Sequence, residues 1–305
     1  MKIRIATRKS ELAMWQAQHV AELLNELDDV DSVEPVPLST RGDEVLDRSL
    51  QKIGGKGLFI KELEVAMQNG DADIAVHSMK DVPVEMPDGF CIAAVLPRGN
   101  AADAMVGRKL NELPDGAIVG TSSLRRAAQL KILRPDIRIE PLRGNVNTRI
   151  EKLERGEFDA IVLAAAGLER LGREHLIAEQ FVPDDMLPAV AQGVIGIECL
   201  TDNVDLRALL AKLNDATTLR TTLAERTVAR ALGADCHAPV AVHGVSLASV
   251  LTLSALVATA DGSQHLKETH GGPSEDAEKI ATEIARRLLD QGAEEILAES
   301  TASNG

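Results

Sequence analysis

Short apolar runs alternate with amphipathic stretches along the first two-thirds of the chain. Apolar runs bounded by polar residues predict short strands, whereas apolar positions spaced three or four apart predict helices. The first predicted elements are a strand Lys2–Ala6, a helix Ser10–Leu27 with Ser10 as N-cap, a strand Val33–Leu38, a helix Leu58–Gln68 and a strand Asp73–Val76. Strands and helices in this order are typical of a mostly parallel sheet.

The same order of elements then begins again. The second set comprises strands Ala117–Gly120, Ile137–Pro141 and Ala160–Ala164, with helices from Ser122 or Ser123 to about Leu133 and over Val146–Arg155. A faint internal repeat accompanies it, because Gly-Asp-Ala-Asp-Ile-Ala-Val at 70–76 matches Gly-Glu-Phe-Asp-Ala-Ile-Val at 156–162. Each copy follows a predicted helix and opens a strand, which indicates two similar α/β lobes. A cleft between two lobes is a common place for a ligand.

The last part of the chain has a different texture. We expect residues 187–198 to cross back to the first lobe, and after Thr217 we predict a helix Leu219–Leu232, strands Val240–Val245, Val250–Thr259 and Gln264–Thr269, and a helix Ser274–Gln291. The expected fold is therefore α/β, with two similar lobes of the periplasmic-binding-protein type, a cleft between them and a small α+β C-terminal domain. Residues 1–97 and 194–215 would form the first lobe, 98–193 the second, and 216–305 the third domain, which contains Cys236.

Composition narrows the possible partners. The chain has 305 residues, a net charge of −14 and only 2% aromatic residues, which argues against nucleic acid and anionic membranes as partners. No apolar run approaches the length of a membrane span, and the start Met1–Ala6 lacks the features of a signal peptide, so we expect a cytoplasmic protein. Three distant cysteines without a Cys-x-x-Cys pair predict neither a disulfide framework nor a zinc site, and no metal is expected.

Polar residues gather where the strand Asp73–Val76 ends. The sequence there is Val-His-Ser-Met-Lys-Asp-Val-Pro at 76–83, so Lys80 and Asp81 leave the sheet at its carboxyl edge, where ligands bind in open α/β folds. The adjacent Lys and Asp could hold a carboxylate ionised beside a cationic intermediate, or they could form an ordinary surface salt bridge. The residues alone favour neither interpretation. His77 is equally open, since it either touches a ligand or belongs to the core.

Arginines recur at strand-to-helix junctions, which needs explaining in so acidic a chain. They are Arg8, Arg125, Arg126, Arg143 and Arg149, accompanied by the hydroxyl residues Ser10, Thr121, Ser122 and Ser123. Helix N-termini attract anions through free N–H groups and the helix dipole, and arginine forks bind carboxylates or phosphates. A single such arginine is usually structural, but their repetition at equivalent junctions favours anion binding.

Two glycine-bearing segments carry further candidate residues. Residues 39–57 are polar and weakly periodic, so we expect a mobile loop that brings Lys56 to a ligand and closes as a lid. Its Gly-Gly-Lys-Gly sequence lacks the spacing of a nucleotide phosphate loop. Cys236 lies in a tight loop at 233–239, where it is either an exposed nucleophile or a small residue filling a turn. Cys91 and Cys199 border apolar strands and are expected in the core.

Together these motifs resemble the porphobilinogen deaminase (hydroxymethylbilane synthase) family over nearly the whole chain. They are Ala6-Thr7-Arg8 with Trp15-Gln16-Ala17, Gly54-Gly55-Lys56-Gly57-Leu58-Phe59 with Lys61-Glu62-Leu63-Glu64, His77-Ser78-Met79-Lys80-Asp81-Val82-Pro83, Gly120-Thr121-Ser122-Ser123-Leu124-Arg125-Arg126, Leu142-Arg143-Gly144-Asn145-Val146 with Thr148-Arg149, and Leu187-Pro188-Ala189-Val190-Ala191-Gln192-Gly193. Any one motif could arise by chance, whereas their shared order and spacing make the resemblance strong.

The resemblance implies a transferase of tetrapyrrole and heme biosynthesis. Such an enzyme joins four porphobilinogen molecules head to tail with loss of ammonia and releases the linear tetrapyrrole hydroxymethylbilane. The chain grows on a dipyrromethane cofactor that one cysteine holds through a thioether. Each porphobilinogen adds two carboxylates, which would account for arginine clusters in an acidic protein. The resemblance further implies a monomer whose partner is this small substrate, with no nucleic acid and no membrane.

The resemblance also implies roles for individual residues. Cys236 matches the cofactor attachment point, and Asp81 matches the catalytic aspartate, whose carboxylate would stabilise the azafulvene cation left when ammonia departs. The other cofactor-binding residues would be Lys56, Ser78, Lys80, Thr121, Ser123, Arg125, Arg126 and Arg143, and the substrate-binding residues would be Arg8, Ser10, Arg149, Arg170 and Gln192.

Two other classes of protein share parts of this pattern. A receptor built like a periplasmic binding protein would use the arginine-lined cleft without chemistry, but the expected lack of a signal peptide, the third domain and Cys236 argue against it. A ligand-sensing regulator would need a DNA-binding module, and the sequence shows no helix-turn-helix followed by a basic surface. Intact mass separates these classes, because only the enzyme should carry two extra pyrrole units.

Overall fold

A computed structural model describes residues 1–39, 60–234 and 238–302 of the chain. Lys56, Cys236 and all but the first residue of the expected mobile loop lie outside these ranges. The interpretations given to them above therefore stay predictions.

The helices and strands follow one another largely as the periodicity predicts. The first are β1 (Lys2–Arg8), α1 (Glu11–Asn25), β2 (Ser32–Leu38), α2 (Lys61–Gln68), β3 (Ile74–Ser78) and β4 (Phe90–Val95). Next come β5 (Asp103–Val106), β6 (Ile118–Gly120), α3 (Leu124–Leu133), β7 (Arg138–Glu140), α4 (Val146–Glu154), β8 (Ala160–Ala164), α5 (Ala165–Arg170) and β9 (Ile177–Gln180). The last are β10 (Ile195–Leu200), α6 (Val204–Leu210), α7 (Ala216–Ala231), β11 (Val240–Leu247), β12 (Val250–Ala258), β13 (His265–Pro273), α8 (Ala277–Asp290) and α9 (Ala293–Ala302). The strands β5 and β9 and the helices α5, α6 and α9 have no counterpart among those predicted.

Two five-stranded sheets share one strand order. The first is ordered β2-β1-β3-β10-β4 and the second β7-β6-β8-β5-β9. In the first sheet β10 runs antiparallel to the other strands, and in the second β5 does so. The strand β10 thus returns the chain to the first sheet after the second has formed, as expected. The prediction of two similar α/β lobes is confirmed.

The internal repeat marks the same turn in both sheets, at the start of β3 and of β8. Each copy begins with a glycine in the left-handed region, with φ of +74° in the first and +75° in the second. Asp73 Oδ2 then accepts a hydrogen bond from Arg4 N at 2.7 Å, and Asp159 Oδ2 accepts one from Ile118 N at 2.8 Å. The repeated aspartate therefore joins its turn to the neighbouring strand in each lobe.

Aliphatic side chains form the core around each sheet. Ile5 and Ile197 of the first sheet pack with Leu24 of α1, and Val162 of the second packs with Leu130 of α3. Full burial of one such side chain stabilises the fold by about 1.5–3 kcal/mol. Strands covered on both faces are apolar without alternation, which explains why the sequence of β8 is Ala-Ile-Val-Leu-Ala.

The C-terminal part forms a three-stranded antiparallel sheet, β11-β12-β13. Helix α8 covers it with an apolar face formed by Ile280, Ile284 and Leu288, which recur every four residues and cluster with Leu253 and Val257. This arrangement confirms the expected small α+β domain.

The chain separates into two compact units. One comprises Met1–Gly99 and Val194–Leu219, and the other comprises Asn100–Gly193 and Arg220–Gly305. The second unit therefore combines the second five-stranded sheet with the C-terminal sheet, which touches α3 in a buried cluster that includes Ala128 and Leu256. The division into three domains at the boundaries given above stays a prediction.

The contact between β10 and the turn after β3 can be tested at Gly196. A Cβ atom there would overlap Met79 Sδ, and Met79 is only 2% exposed, so its side chain has little room to move. We expect Gly196→Ala to lower the free energy of unfolding by about 1–3 kcal/mol, the usual cost of overpacking. Gly272→Ala is the matched control, because its Cβ would meet only the Ile280 side chain. Urea denaturation measures both variants, and an equal loss in the two would contradict the packing argument.

Candidate functional site

The strand β3 ends in a short 3-10 turn, Met79–Asp81, which carries two of the predicted site residues. Met79 is buried, and its N–H donates to Val194 O at 2.9 Å. The preceding Ser78 Oγ accepts a hydrogen bond from Gln16 Nε2 of α1 at 2.8 Å. The turn is thus held by β10 on one side and by α1 on the other, which is the support that a precise site requires.

Asp81 is exposed at the end of this turn. Within the described part of the chain its carboxylate forms no ion pair and accepts no hydrogen bond. The ordinary salt bridge considered for this position is therefore not found there. The carboxylate lies beside half-buried Lys80 at the carboxyl edge of the sheet and is available to a cationic ligand.

His77, the residue before Ser78, pairs with Glu198 of β10. His77 Nε2 and Glu198 Oε2 lie 2.7 Å apart, and both side chains are buried. Glu198 Oε1 has no hydrogen-bond partner among the described residues. Burial, followed by the Glu198 charge, raises the pKa of the neighbouring Glu64. His77 therefore belongs to the core, where it joins β3 to β10.

Arg8 and Ser10 lie where β1 passes into α1. Arg8 is the last residue of β1, and Ser10 occupies the N-cap of α1 as predicted, although its hydroxyl makes no capping hydrogen bond. Because β1 and β3 are parallel neighbours, both residues lie at the same sheet edge as Asp81. Four residues predicted to bind cofactor or substrate thus lie at one edge with Asp81, namely Arg8, Ser10, Ser78 and Lys80.

In the second unit, the equivalent edge of β6 leads into α3. Ser123 is the N-cap of this helix, and its Oγ accepts from Arg126 N at 3.4 Å. Thr121 Oγ1 accepts from Ser123 N at 3.2 Å. Both hydroxyls act as acceptors in these contacts, so each keeps a proton that it can donate to an anion.

Arg125 and Arg126, at the start of α3, are buried against one carboxylate. Arg125 Nη1 donates to Asp103 Oδ2 at 2.6 Å and to Leu187 O at 2.7 Å. Arg126 Nε donates to Asp103 Oδ1 at 2.9 Å, its Nη2 lies 2.7 Å from the same oxygen, and its Nη1 donates to Val162 O at 2.9 Å. The two arginines are therefore anchored inside the lobe rather than spread on its surface.

Gln192 completes the surroundings of Asp103. Its Nε2 donates to Asp103 Oδ1 at 3.0 Å and to Ala101 O at 2.7 Å. Burial by itself would raise the pKa of Asp103, but the charges of Arg125 and Arg126 outweigh it and hold that pKa well below its usual range. Asp103 is consequently ionised at neutral pH.

Arg143 and Arg149 lie in and after the turn that follows β7. Asn145 caps α4 by accepting from Thr148 N at 2.9 Å, and Arg149 Nε donates to Gly144 O at 2.8 Å. Gly144 has a φ of +112°, and a Cβ there would approach the Thr148 side chain to 2.8 Å, so a glycine is required. The turn places both arginines, as predicted, next to a helix N-terminus.

Arg170, the last residue of α5, bonds to the segment that contains Gln192. Its Nη2 donates to Gly193 O at 2.6 Å. Burial lowers the pKa of Arg170. The side chain therefore ties the end of α5 to the chain that leads into β10.

The sequence interpretation missed Asp103 and Gln129. Asp103 is the first residue of β5, before the apolar residues Ala-Met-Val. An acidic residue in an otherwise apolar strand could have indicated a buried, paired carboxylate, because aspartate is almost never fully buried without a partner. Gln129 donates through Nε2 to Leu187 O at 3.0 Å and accepts through Oε1 from Leu187 N at 2.7 Å. Nothing in the local sequence distinguishes it from a surface glutamine on a helix.

Fold and site together define a class of protein, an α/β protein of two similar lobes whose strand ends carry arginines and hydroxyls suited to an anionic ligand. Known families identify it further. The family described as "Porphobilinogen deaminase, dipyromethane cofactor binding domain" matches residues 3–208, and "Porphobilinogen deaminase, C-terminal domain" matches residues 219–290. The chain belongs to the porphobilinogen deaminase family.

Curated relatives match along the whole length. The porphobilinogen deaminase of Chromobacterium violaceum is 49% identical over 300 residues, covering 97% of both chains. That of Stenotrophomonas maltophilia is 52% identical over 298 residues, covering 97% of this chain and 98% of the other. That of Bordetella parapertussis is 50% identical over 301 residues, covering 98% of this chain and 96% of the other.

The solved periplasmic VFT2 domain of Bordetella pertussis BvgS aligns at 16% identity over 70% of this chain and 86% of its own. Its TM-score of 0.43 is too low to support an inference.

The donor groups at the strand ends fit a dipyrromethane, which carries carboxylate arms. In the part of the chain that the structure describes, Arg125 Nε and Nη2 make no hydrogen bond, while Thr121 and Ser123 use their hydroxyls only as acceptors. These groups are donors without an acceptor, which is what a bound carboxylate supplies.

Across the described residues, no helix combines the length and the apolar character that a membrane crossing needs.

The low pKa of Asp103 predicts how acid affects stability. The folded pKa lies below the unfolded value of about 3.9, so the ionised carboxylate stabilises the fold above that pH, and the contribution is lost as pH falls toward the folded value. We expect Asp103→Asn to cost about 3–5 kcal/mol at pH 7, because it leaves two buried cations without their anion. The difference in the free energy of unfolding between wild type and Asp103→Asn should become progressively smaller below about pH 4.

Denaturation at pH 7, 4 and 2.5 measures this difference. Asp88→Asn, at an exposed aspartate, is the control and should cost little at any pH. A cost of Asp103→Asn that stays constant from pH 7 to 2.5 would contradict the assigned direction of the pKa.

Proposed function

We propose that this chain is a hydroxymethylbilane synthase that joins four porphobilinogen molecules on a dipyrromethane primer. The transferase activity follows from membership of the porphobilinogen deaminase family and from relatives that match nearly end to end. In each condensation the aminomethyl carbon of one porphobilinogen loses ammonia. The cationic carbon left behind bonds to the free α carbon of the preceding pyrrole, which then gives up a proton. One C–N bond is broken and one C–C bond is formed per step.

The observation that supports the chemistry best is the isolated carboxylate of Asp81. It projects from a turn fixed by Met79 and Ser78, it is exposed, and it has no ion-pair partner among the described residues. A fixed anion of this kind stabilises positive charge that develops on the substrate when ammonia leaves. It can also accept hydrogen bonds from pyrrole N–H groups, which orients the ring before the bond forms. We assign Asp81 as the catalytic residue.

The cationic residues at the strand ends would hold the carboxylates of the growing chain. Of the second unit's residues, we assign Arg125, Arg143, Thr121 and Ser123 to the cofactor and Arg149 and Arg170 to the substrate. Arg126 and Gln192, which the resemblance assigns to cofactor and substrate, bond to Asp103. In the first unit Lys80 and Ser78 would serve the cofactor, and Arg8 and Ser10 the substrate. Arginine suits this purpose because its planar fork binds a carboxylate through two parallel hydrogen bonds.

The dipyrromethane supplies, when bound, the free pyrrole α carbon on which the first condensation occurs. We assign its attachment to Cys236, which lies outside the described residues, and the assignment rests on the family resemblance. Lys56 is assigned to the cofactor on the same basis. Cys199 is unsuited to the attachment, because burial, followed by Cys91, raises the pKa of its thiol to about 12 and so suppresses the nucleophilic thiolate.

We further propose that the enzyme works in the cytoplasm as a monomer without a nucleic-acid partner. The net charge of −14 and the 2% aromatic content support the last point, because nucleic-acid surfaces need cationic patches and stacking side chains.

Replacement of Cys236 tests the attachment point. We expect Cys236→Ser to fold but to lack the covalent cofactor and all activity, because a hydroxyl is a far weaker nucleophile than a thiolate. Intact-mass spectrometry should show two pyrrole units on wild type and on the control Cys91→Ser, and none on Cys236→Ser. A full adduct on Cys236→Ser would exclude the assignment, and its absence from wild type would contradict the proposed function itself.

Replacement of Asp81 tests the catalytic role. Asp81→Asn keeps the shape but removes the charge, so we expect kcat to fall by about 100- to 1,000-fold, while the covalent cofactor seen by intact mass remains. Asp88→Asn, at another exposed aspartate of the same unit, should keep wild-type kcat. Turnover of Asp81→Asn within a factor of two of wild type would rule out electrostatic catalysis by this residue.

A further inference from the structure

The cluster around Asp103 holds more positive than negative charge. Two guanidiniums, Arg125 at 4% exposure and Arg126 at 6%, share one fully buried carboxylate. Neither arginine has a second acidic partner among the described residues. The cluster therefore carries a net charge of one positive unit in a place almost closed to water. Such a charge is costly unless an anion pairs with it.

The two arginines use their nitrogens differently. All three nitrogens of Arg126 contact protein acceptors, namely Asp103 Oδ1 and Val162 O. Among the described residues, Arg125 donates only through Nη1, to Asp103 Oδ2 and to Leu187 O. Its Nε and Nη2 have no hydrogen-bond partner among the described residues. These two nitrogens form the edge of a guanidinium that binds a carboxylate side-on with two hydrogen bonds.

Asp103 is itself rigidly held. It opens β5, which pairs with β8 and β9, and its Oδ1 also accepts from Gln192 Nε2 at 3.0 Å. The second acceptor of Arg125, Leu187 O, is fixed by Gln129, which bonds to both the N–H and the C=O of Leu187. Arg125 Nη1 thus donates to two groups, the Asp103 carboxylate and Leu187 O, each of which accepts a further hydrogen bond from a glutamine side chain.

We infer that Asp103 is a positioning residue for cofactor binding, which fixes Arg125 by Nη1 so that its Nε and Nη2 receive a carboxylate of the dipyrromethane. Arg126 serves to hold Asp103 and leaves the unpaired positive charge to Arg125. This inference rests on the proposed function. It gives different roles to two neighbouring arginines for which the sequence predicts the same role, since only Arg125 would touch the ligand.

Cofactor loading gives a readout that does not depend on turnover. The full-length chain, produced in cells unable to make porphobilinogen, is incubated with porphobilinogen, and intact mass follows the gain of two pyrrole units. We expect Asp103→Asn to slow loading at least about 10-fold, the effect of 1.4 kcal/mol in a rate. Asp159→Asn is the matched control and should load within about twofold of wild type. That carboxylate belongs to the same lobe, and its hydrogen-bond donor in the described part of the chain is a backbone group, Ile118 N.

A double-mutant cycle separates positioning from general structural damage. If Asp103 acts through Arg125, then Asp103→Asn should have no further effect on loading in an Arg125→Leu background. Effects of the two substitutions that multiply would overturn the inference, and so would wild-type loading by Asp103→Asn. Failure of wild type to load at all would instead contradict the proposed function.

A conservative pair decides the question even where Asp103→Asn does not fold. Lysine keeps the charge and loses the planar fork. We expect Arg125→Lys to load at least about 10-fold more slowly than wild type, with circular dichroism confirming that it is folded. Arg126→Lys should lose more free energy of unfolding than Arg125→Lys, because all three guanidinium nitrogens of Arg126 contact acceptors within the protein. Loading of folded Arg125→Lys within about twofold of wild type would overturn the inference, and so would a larger loss of stability in Arg125→Lys than in Arg126→Lys.

Discussion

The antiparallel strand in each five-stranded sheet is the constraint on which both groups of site residues depend. In the first sheet, β10 receives the N–H of Met79 just before its start, at Val194 O and 2.9 Å, and makes room for the Met79 side chain at Gly196. In the second sheet, the chain before β5 receives the N–H of Ala165 at Ala102 O, at 3.0 Å, which is the equivalent bond. A strand that runs antiparallel to its neighbours begins at their carboxyl edge, so the residues just before it meet the turns that leave those neighbours.

This geometry places a carboxylate of different character in each lobe. Asp81 leaves the edge on an exposed turn without a partner in the described part of the chain, whereas Asp103 is fully buried and accepts from two arginines and a glutamine. The first can therefore respond to charge that develops on a substrate. The carboxylate of Asp103 already accepts hydrogen bonds through both oxygens, so it can only hold the neighbouring arginines in place. Environment, not residue type, separates the two roles.

The arginine clusters are easier to understand against the acidity of the chain. A net charge of −14 disfavours anionic ligands at long range, although screening at physiological salt confines this effect to about 8 Å. Local cationic groups must therefore supply the attraction at the site. The helices capped by Ser123 and Asn145 begin beside Arg125 and Arg149. Their N-termini add to this attraction, because the first turn of a helix carries a partial positive charge.

The sequence by itself determined most of the helices and strands, the lobe repeat and the family, because periodicity, turn residues and ordered motifs are local properties. The caps Ser123 and Asn145 and the position of Asp81 at a strand end follow from neighbouring residues. Tertiary structure alone decided that Asp103 is the anchor of Arg125 and Arg126, that His77 pairs with Glu198, and that Gln192 faces Asp103. These partners are separated by between 22 and 121 positions, and no local pattern records which distant side chains a sheet will bring together or which charges it will bury.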